Sequence, residues 1–499
     1  MPPQALAAVA AMLAFSTHGN RIEFTLDHGS ASLEWNSEKS FRFRRSLEGP
    51  LPASDTGHGA DRAVVFKIEN SQSVVHIRTA LLDVAIQKQG MLVSVQNAQR
   101  QTLLKDLSEP RASGGGVVWE CEARTGERFY GLGPRPDDKL DLSGRAVTAT
   151  VPLLVSSSSY GAFQAGSGPW RFDFTTAGRY RIEAPRVDYF FYWGATPKDI
   201  FREHHSALDS PSPWQYEAPS ASWDGLRQAV LTMVEGAMSA VVYPSFNLAK
   251  FDGVDVLLGR RARQVGSLVP RVVPGKVGLS DFRNQLKSFF TVYGPEQDYY
   301  GYPTWHALPF QFPTDPECAL HADEFMLGDE MLIAPILDAS GARQVYLPQG
   351  IWTNLETNQV QNGKATITVR TDSLPVFARN GTVVPLDDPN GMALHYFPKL
   401  GAEFFLLEQD TGEYSQIHAA PADDIMRLEI ESKKDRPCLW VVHHIDRPAS
   451  VGFEQRVYQP AASIEALATG TWFYDTAQRN LYIRVNVKAG EDNIINLGF

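Results

Sequence analysis

The sequence predicts a multidomain, mainly β chain in which a short β/α segment of barrel type interrupts β-sandwich modules. Three observations point there. Alternating stretches such as "RIEFTLDHG", "AVVFKIEN" and "SVVHIRTALLDVAIQ" recur between turn-forming residues from about Asn20 to Ser210, the period-2 signature of half-buried strands. Helical spacing takes over between Thr196 and about Asp338. Alternation returns from Gln344 in "QVYLPQGIWTNL", "ATITVRT", "AEFFLLEQDTGEY", "CLWVVHHI" and "LYIRVNV".

The elements follow in order. Residues 1–19 carry the apolar run "ALAAVAAMLAF". It is too short to cross a bilayer and no Lys or Arg precedes it, so a packed helix is expected over a secretion signal, and a cytoplasmic protein over an exported one. Residues 20–210 read as an N-terminal β-sandwich, with "SGGG" at Ser113–Gly116 as a turn. In "TPKDIFREHHSALDS", Thr196 is the expected N-cap, Pro197 the first helical residue, Ile200 and Phe201 the buried stripe, and His204–His205 a solvated face. Then "PWQYEAPSASWDGLRQAVLTMVEGAMSAVVYPSF" reads as strand end, helix from Trp223, and strand, the grammar of a β/α unit. "GRRARQVGSLVP" follows. In "SDFRNQLKSFFTVYG", Ser280 is the expected cap and Phe282, Leu286, Phe289 and Phe290 the apolar stripe. "PTWHALPFQFP" is a strand with Pro at both ends. Residues 211–338 form this β/α segment, residues 339–390 a proximal β module, and residues 391–499 a distal one.

Composition bounds the function. A net charge of −11, from 46 basic and 57 acidic side chains, argues against a nucleic-acid partner and an anionic membrane surface. Cys121, Cys318 and Cys438 lie far apart with no CxxC spacing, so neither a disulfide framework nor a metal site is expected, and no cofactor motif is present. "GLG" at Gly131–Gly133 lacks the Lys-Ser/Thr of a phosphate loop. His443–His444, adjacent on an expected strand, are poorly placed to share a metal.

Several phrases carry a family likeness. "GERFYGLG" (126–133), "VPLLVSSSSYGAF" (151–163), "DYFFYWGATPKDI" (188–200), "DEFMLGDEMLIAPIL" (323–337), "LPVFARNGTVVPL" (374–386) and "FFLLEQDTGEY" (404–414) together resemble glycoside hydrolase family 31, the family of α-glucosidases and α-xylosidases. The resemblance implies an N-terminal β-sandwich, a (β/α)8 barrel and two C-terminal β-sandwich modules. The barrel departs from it. Residues 211–338 offer about 130 residues against the roughly 250 of a (β/α)8 barrel, so this segment is expected to be a remnant lacking its first five or so units. The family nucleophile, an aspartate on the fourth strand in a W-x-D-M-N-E context, has no counterpart here.

The remaining site positions are also altered. Aligned on Trp223, the family acid/base aspartate corresponds to Ala218. Glu217 is adjacent, on the opposite face of a strand. Asn247 replaces the aspartate of D-I-G-G-F, Lys250 a glycine, and Val273 an arginine, while His306-Ala307 stand where the family has R-P, near the eighth strand. A retaining glycosidase needs two carboxyl groups about 5–5.5 Å apart, and this sequence does not supply the family pair. The candidate catalytic residues are His306, the side chain whose charge switches near neutral pH, and Glu217. The candidate ligand-binding residues are Trp214, Trp223, Tyr243 and Asn247, three aromatics for stacking and an amide for a hydroxyl. The plainer alternative is a hydrogen-bonded buried histidine and core aromatics.

Two or three β/α units leave open strand edges and an apolar face to cover. The N-terminal sandwich, the segment Ala5–Phe15, or a second chain in a symmetric dimer could do so. The first and third together are favoured, with a new cleft between sandwich and remnant. The expected partner is a carbohydrate or related small molecule, bound or acted on without retaining α-glycoside hydrolysis. The competing readings are a repurposed lyase, isomerase or cyclase, a structural or regulatory subunit, and an α-glycosidase with relocated carboxylates.

Overall fold

Arg21–Leu26 buries Ile22, Phe24 and Leu26 and exposes Glu23 and Thr25, as a strand with one face in a core must. It lies in a computed structural model that describes residues 9–53, 63–208, 220–241, 245–276, 278–422, 424–453, 456–491 and 493–499. Its eight-stranded sheet runs Met12–His18, Arg21–Leu26, Ser30–Ser37, Ser40–Ser46, Val187–Trp193, Tyr160–Gln164, Leu153–Ser156, Phe129–Gly131. Two five-stranded sheets pack on it around Trp35, Phe41, Val84, Trp119, Phe172 and Phe191. "SGGG" makes the expected turn, pairing Ser113 with Gly116.

The apolar N-terminal run is not a helix. Met12–His18 is an edge strand paired with Arg21–Leu26, and Met12 and Phe15 pack on the sandwich core instead of covering the remnant. Pairing with a neighbouring strand outweighs the helix propensity of the alanines. The rest of that segment, residues 1–8, lies outside the described residues.

Val187–Trp193 is buried on both faces, so it serves two cores. Tyr189 and Phe191 face the sandwich interior. Phe190 and Tyr192 join a second core with Leu226, Val230 and Val234, and that is how the sandwich covers the β/α segment. Helix α1 (Pro197–Ala207) begins as expected, with Thr196 and Asp199 forming a reciprocal capping box. His204 is not solvated. Its Nδ1 lies 3.1 Å from the Tyr192 hydroxyl and its ring 5.0 Å from Phe163, and burial pushes its pKa down to about 3. Helix α2 (Trp223–Ala237) is capped by Ser222. At Gly131, φ is +90° and a Cβ would meet Leu153 O at 2.4 Å and Met238 O at 3.0 Å, so only glycine lets the sandwich approach the end of α2 this closely.

Ser245–Asn247 and Arg271–Val273 form a two-stranded parallel sheet, connected through α3 (Val256–Gly266). Helix α4 (Phe282–Gln285) breaks at Leu286 before α5 (Lys287–Tyr300). Ser280 does not cap it: the Ser280 hydroxyl donates to Ser267 Oγ at 2.7 Å, and Asp281 occupies the N-cap position. Leu286 and Phe289 are fully buried, as their spacing implied.

The next sheet crosses the boundary drawn at 338. Its order is Trp305–Ala307, Phe325–Leu327, Met331–Ile333, Val376–Arg379, Ile351–Asn354, Val360–Asn362, with Met331 opposite Ala378. Strands on both sides of residue 338 therefore share one sheet. Likewise Thr382–Asp388 forms a hairpin with Gly391–Phe397, so residue 390 falls in a turn of the distal sandwich, which has two six-stranded sheets. Arg261 ties α3 to this part of the molecule, donating to the carbonyls of Thr371, Asp372 and Ser373 at 2.7–3.1 Å.

Candidate ligand-binding site

His306 sits on Trp305–Ala307, antiparallel to Phe325–Leu327, and not in the parallel pair Ser245–Asn247 and Arg271–Val273. It is 1% exposed. Its Nδ1 lies 3.4 Å from Asp329 Oδ1. Lys198 from α1 holds both Asp329 oxygens at 2.6 and 2.5 Å. Burial pushes His306 below the usual histidine range, opposed by Asp329. Burial alone would raise Asp329, but its contacts hold it well below the usual carboxylate range. His306 and then Lys198 are the contacts that draw Asp329 down. Beside it the Tyr293 hydroxyl meets both Glu330 oxygens at 2.8 and 2.7 Å. Gly328, at φ +61°, leaves room where a Cβ would meet Tyr293 and Glu330 at 2.5 and 2.6 Å.

Trp223 opens α2, half-buried and packed on the second core. Asn247 ends the short parallel strand, also half-buried. Trp214, Glu217, Ala218 and Tyr243 lie outside the described residues. Helix α2 packs across the His306 strand, but His306, Trp223 and Asn247 line none of the three cavities described next.

A cavity of about 970 Å³ opens in the N-terminal sandwich beside Arg44, Arg186 and Asp188. One of about 600 Å³ lies in the distal module beside Trp440, Arg456 and Tyr458. The third, about 920 Å³, lies where α4 meets both C-terminal modules. Phe282, Leu374 and Val376 give it apolar wall, and Asp281, Glu356 and Asp388 give it carboxylates. His395 and His443 line its distal side. This is a different junction from the sandwich–remnant cleft expected from the sequence.

Two parallel strands bring these imidazoles together. Gly391–Phe397 runs beside Arg436–Val442, with His395 opposite Val441, and His443 follows as the chain leaves the strand. His395 Nδ1 is 3.0 Å from His443 Nε2. His443 Nδ1 is 3.2 Å from Asn358 Oδ1, and Asn358 Nδ2 donates to Gln478 O at 2.9 Å. Phe397 stacks on His443 at 4.3 Å. Burial pushes His395 down to about 4 and His443 well below its ordinary value. His444 is past the strand end at φ +53°, so the two adjacent histidines do not share a strand. Among the described residues, no group of three His, Cys, Asp or Glu side chains is arranged to hold a metal ion.

The family model for the glycosyl hydrolase family 31 C-terminal domain matches residues 301–384, the span of the six-stranded sheet. The isomaltosyltransferase of Sporosarcina globispora is 22% identical over 329 residues, covering 55% of this chain and 30% of that protein. Neutral alpha-glucosidase AB of Mus musculus is 36% identical over 138 residues, covering 24% of this chain and 14% of that protein. These matches support membership of glycoside hydrolase family 31. Solved family 31 structures share its fold. The dextranase of Flavobacterium johnsoniae complexed with glucose superposes with a TM-score of 0.82 at 14% identity, covering 99% of this chain and 100% of that one. The cycloalternan-forming enzyme of Listeria monocytogenes gives 0.82 at 14% identity, over 98% and 77%. The chain spans 30% or less of the two curated relatives named here.

Sequence reasoning passed over His395 and Asn358, and weighed His443 only as a metal ligand beside His444. His395 sits inside an alternating strand phrase, and its contact with His443 spans 48 residues of chain. The one available signal was a polar histidine on the inward register of "ALHYF".

Proposed function

We propose that this chain recognises a carbohydrate or glycoside without retaining α-glycoside hydrolysis. One observation carries the reading. Between 211 and 338 the described residues form one parallel pair of three-residue strands, and the sequence has no W-x-D-M-N-E segment and Ala218 at the acid/base position. Proton transfer by a positioned side chain contributes about 10²–10⁴-fold, so losing both carboxyl groups removes the retaining route. Retention of the scaffold phrases, and relatives named for isomaltosyl transfer and dextran cleavage, support sugar as the ligand class.

The test pairs two measurements on the full chain. Aryl α-glucosides and α-xylosides are expected to release no phenol above background. Glucose, xylose and isomaltotriose are expected to raise the melting temperature, since a ligand at 100 times its dissociation constant adds about 2.7 kcal/mol. Turnover of an aryl α-glycoside that survives repurification would restore the hydrolytic reading.

A further inference from the structure

We infer that the cavity between α4 and the two C-terminal modules binds an uncharged sugar, with Nε2 of His395 accepting a hydrogen bond from one of its hydroxyls. This rests on the carbohydrate reading above and says where the sugar sits.

The orientation of each group follows from the one behind it. Asn358 Nδ2 faces Gln478 O at 2.9 Å and Asn480 Oδ1 at 3.4 Å, both acceptors, so the amide oxygen points at His443. That oxygen only accepts, so His443 carries its proton on Nδ1. Its Nε2 is then a lone pair, and His395 must donate to it from Nδ1. The neutral His395 ring is left with a lone pair on Nε2. Among the described residues the hydrogen bond found to this ring is the one at Nδ1, and the half-buried ring lines the cavity. The chain of bonds thus holds an acceptor at the cavity wall, fixed in tautomer by a residue two steps away.

The walls match an uncharged polyol. Phe282, Leu374 and Val376 suit the C–H faces of a sugar ring, and polar groups at the edge fix its orientation. Asp281, Glu356, Asp387 and Asp388 stand among the lining residues, and no Lys or Arg does among those described. A carboxylate or phosphate on the ligand would meet like charge, and like-charge juxtaposition discriminates between partners.

Calorimetric titration of the full chain with glucose, xylose, isomaltotriose and glucuronate tests this. The wild type is expected to bind at least one neutral sugar and to bind glucuronate at least about tenfold more weakly than glucose. His395→Phe, which removes the acceptor, is expected to weaken neutral-sugar binding by about tenfold or more. His395→Gln keeps both a donor for His443 and an acceptor for the ligand, and is expected to stay within about threefold of wild type. Leu374→Trp, at another lining residue, fills the cavity and is expected to abolish binding, which keeps the test decisive if His395→Phe does not fold. Unchanged sugar affinity in Leu374→Trp, or in a folded His395→Phe, overturns the site and leaves the carbohydrate reading standing. Glucuronate binding as tightly as glucose overturns it too. Failure of the wild type to bind any neutral sugar sinks both.

Discussion

Glu235 is fully buried on α2. Burial pushes its carboxyl up to about 8, although Arg135 Nη2 lies 3.0 Å from Oε2. Its other oxygen, Oε1, has no hydrogen-bond partner among the described residues. Glu324, also fully buried, is raised to about 8 by the same cause, against Arg343. A carboxyl with a higher pKa folded than unfolded binds more protons in the native state, so its contribution to stability is present below about 4.5 and lost as pH rises through about 8. Glu235→Gln keeps an acceptor for Arg135 and removes the titration. It is therefore expected to melt higher than wild type near pH 8.5, with the difference shrinking toward pH 5. Thermal unfolding across that range checks this, and a variant less stable than wild type near pH 8.5 counts against a buried neutral acid. His395 acts with the opposite sign. Its depressed pKa makes its contribution present above 6.5 and lost as pH falls through about 4.

Arg261 decides how α3 is held. It is 1% exposed and donates to Thr371 O, Asp372 O and Ser373 O, so one guanidinium fixes the loop whose next residue, Leu374, lines the junction cavity. Arg261→Met would leave the carbonyls of Thr371 and Ser373 without their donor, each costing about 1–3 kcal/mol when left unsatisfied and buried, while Asp372 O keeps Gln264 Nε2 at 2.9 Å. A loss of about 2 kcal/mol or more in urea unfolding is expected. Arg261→Lys is expected to recover less than half of it, because an ammonium lacks the planar fork. Elements of this kind were unevenly legible in the sequence. The start of α1 was readable because Thr196, Pro197 and Asp199 settle it locally. The cap of α4 was not, because Ser280 is drawn off by Ser267, thirteen residues away, and the N-terminal run was misread because its strand partner, and not its alanine content, sets its conformation. The candidate site was less legible still. Of the proposed residues, His306 is pinned behind Asp329 and Lys198, while the imidazoles that do line a cavity are brought together by a parallel pairing that periodicity cannot reveal.

At the scale of the molecule, the mainly β, multi-sheet character was legible and the pairing of the strands was not. Alternation identifies strands but not their partners, and two boundaries fell inside sheets for that reason. Met331–Ile333 pairs with Val376–Arg379 across residue 338, and α5 packs on the strand Thr382–Asp388 of the distal sandwich. One continuous core runs from Phe246 and Phe289 through Trp305 to Trp440 and Leu497. The β/α segment and the C-terminal modules therefore share one core, which the β/α segment helps to complete. A piece comprising residues 339–499 would expose the edge of Val376–Arg379 and the face of the distal sandwich that α5 covers, and bare edges and apolar faces drive association. It is expected to be insoluble or to lack a cooperative melt. A piece comprising residues 278–499 restores α4, α5 and the strands from 305 to 333 but still lacks Phe246, α2 and the Arg261 tie. It is expected to be more soluble than 339–499 and to melt at a lower temperature than the full chain. Size-exclusion chromatography, circular dichroism and calorimetry on the two pieces check each part. A well-folded 339–499 fragment would mean that the strands contributed by the β/α segment are dispensable, and the single-core account of this half of the molecule would fail.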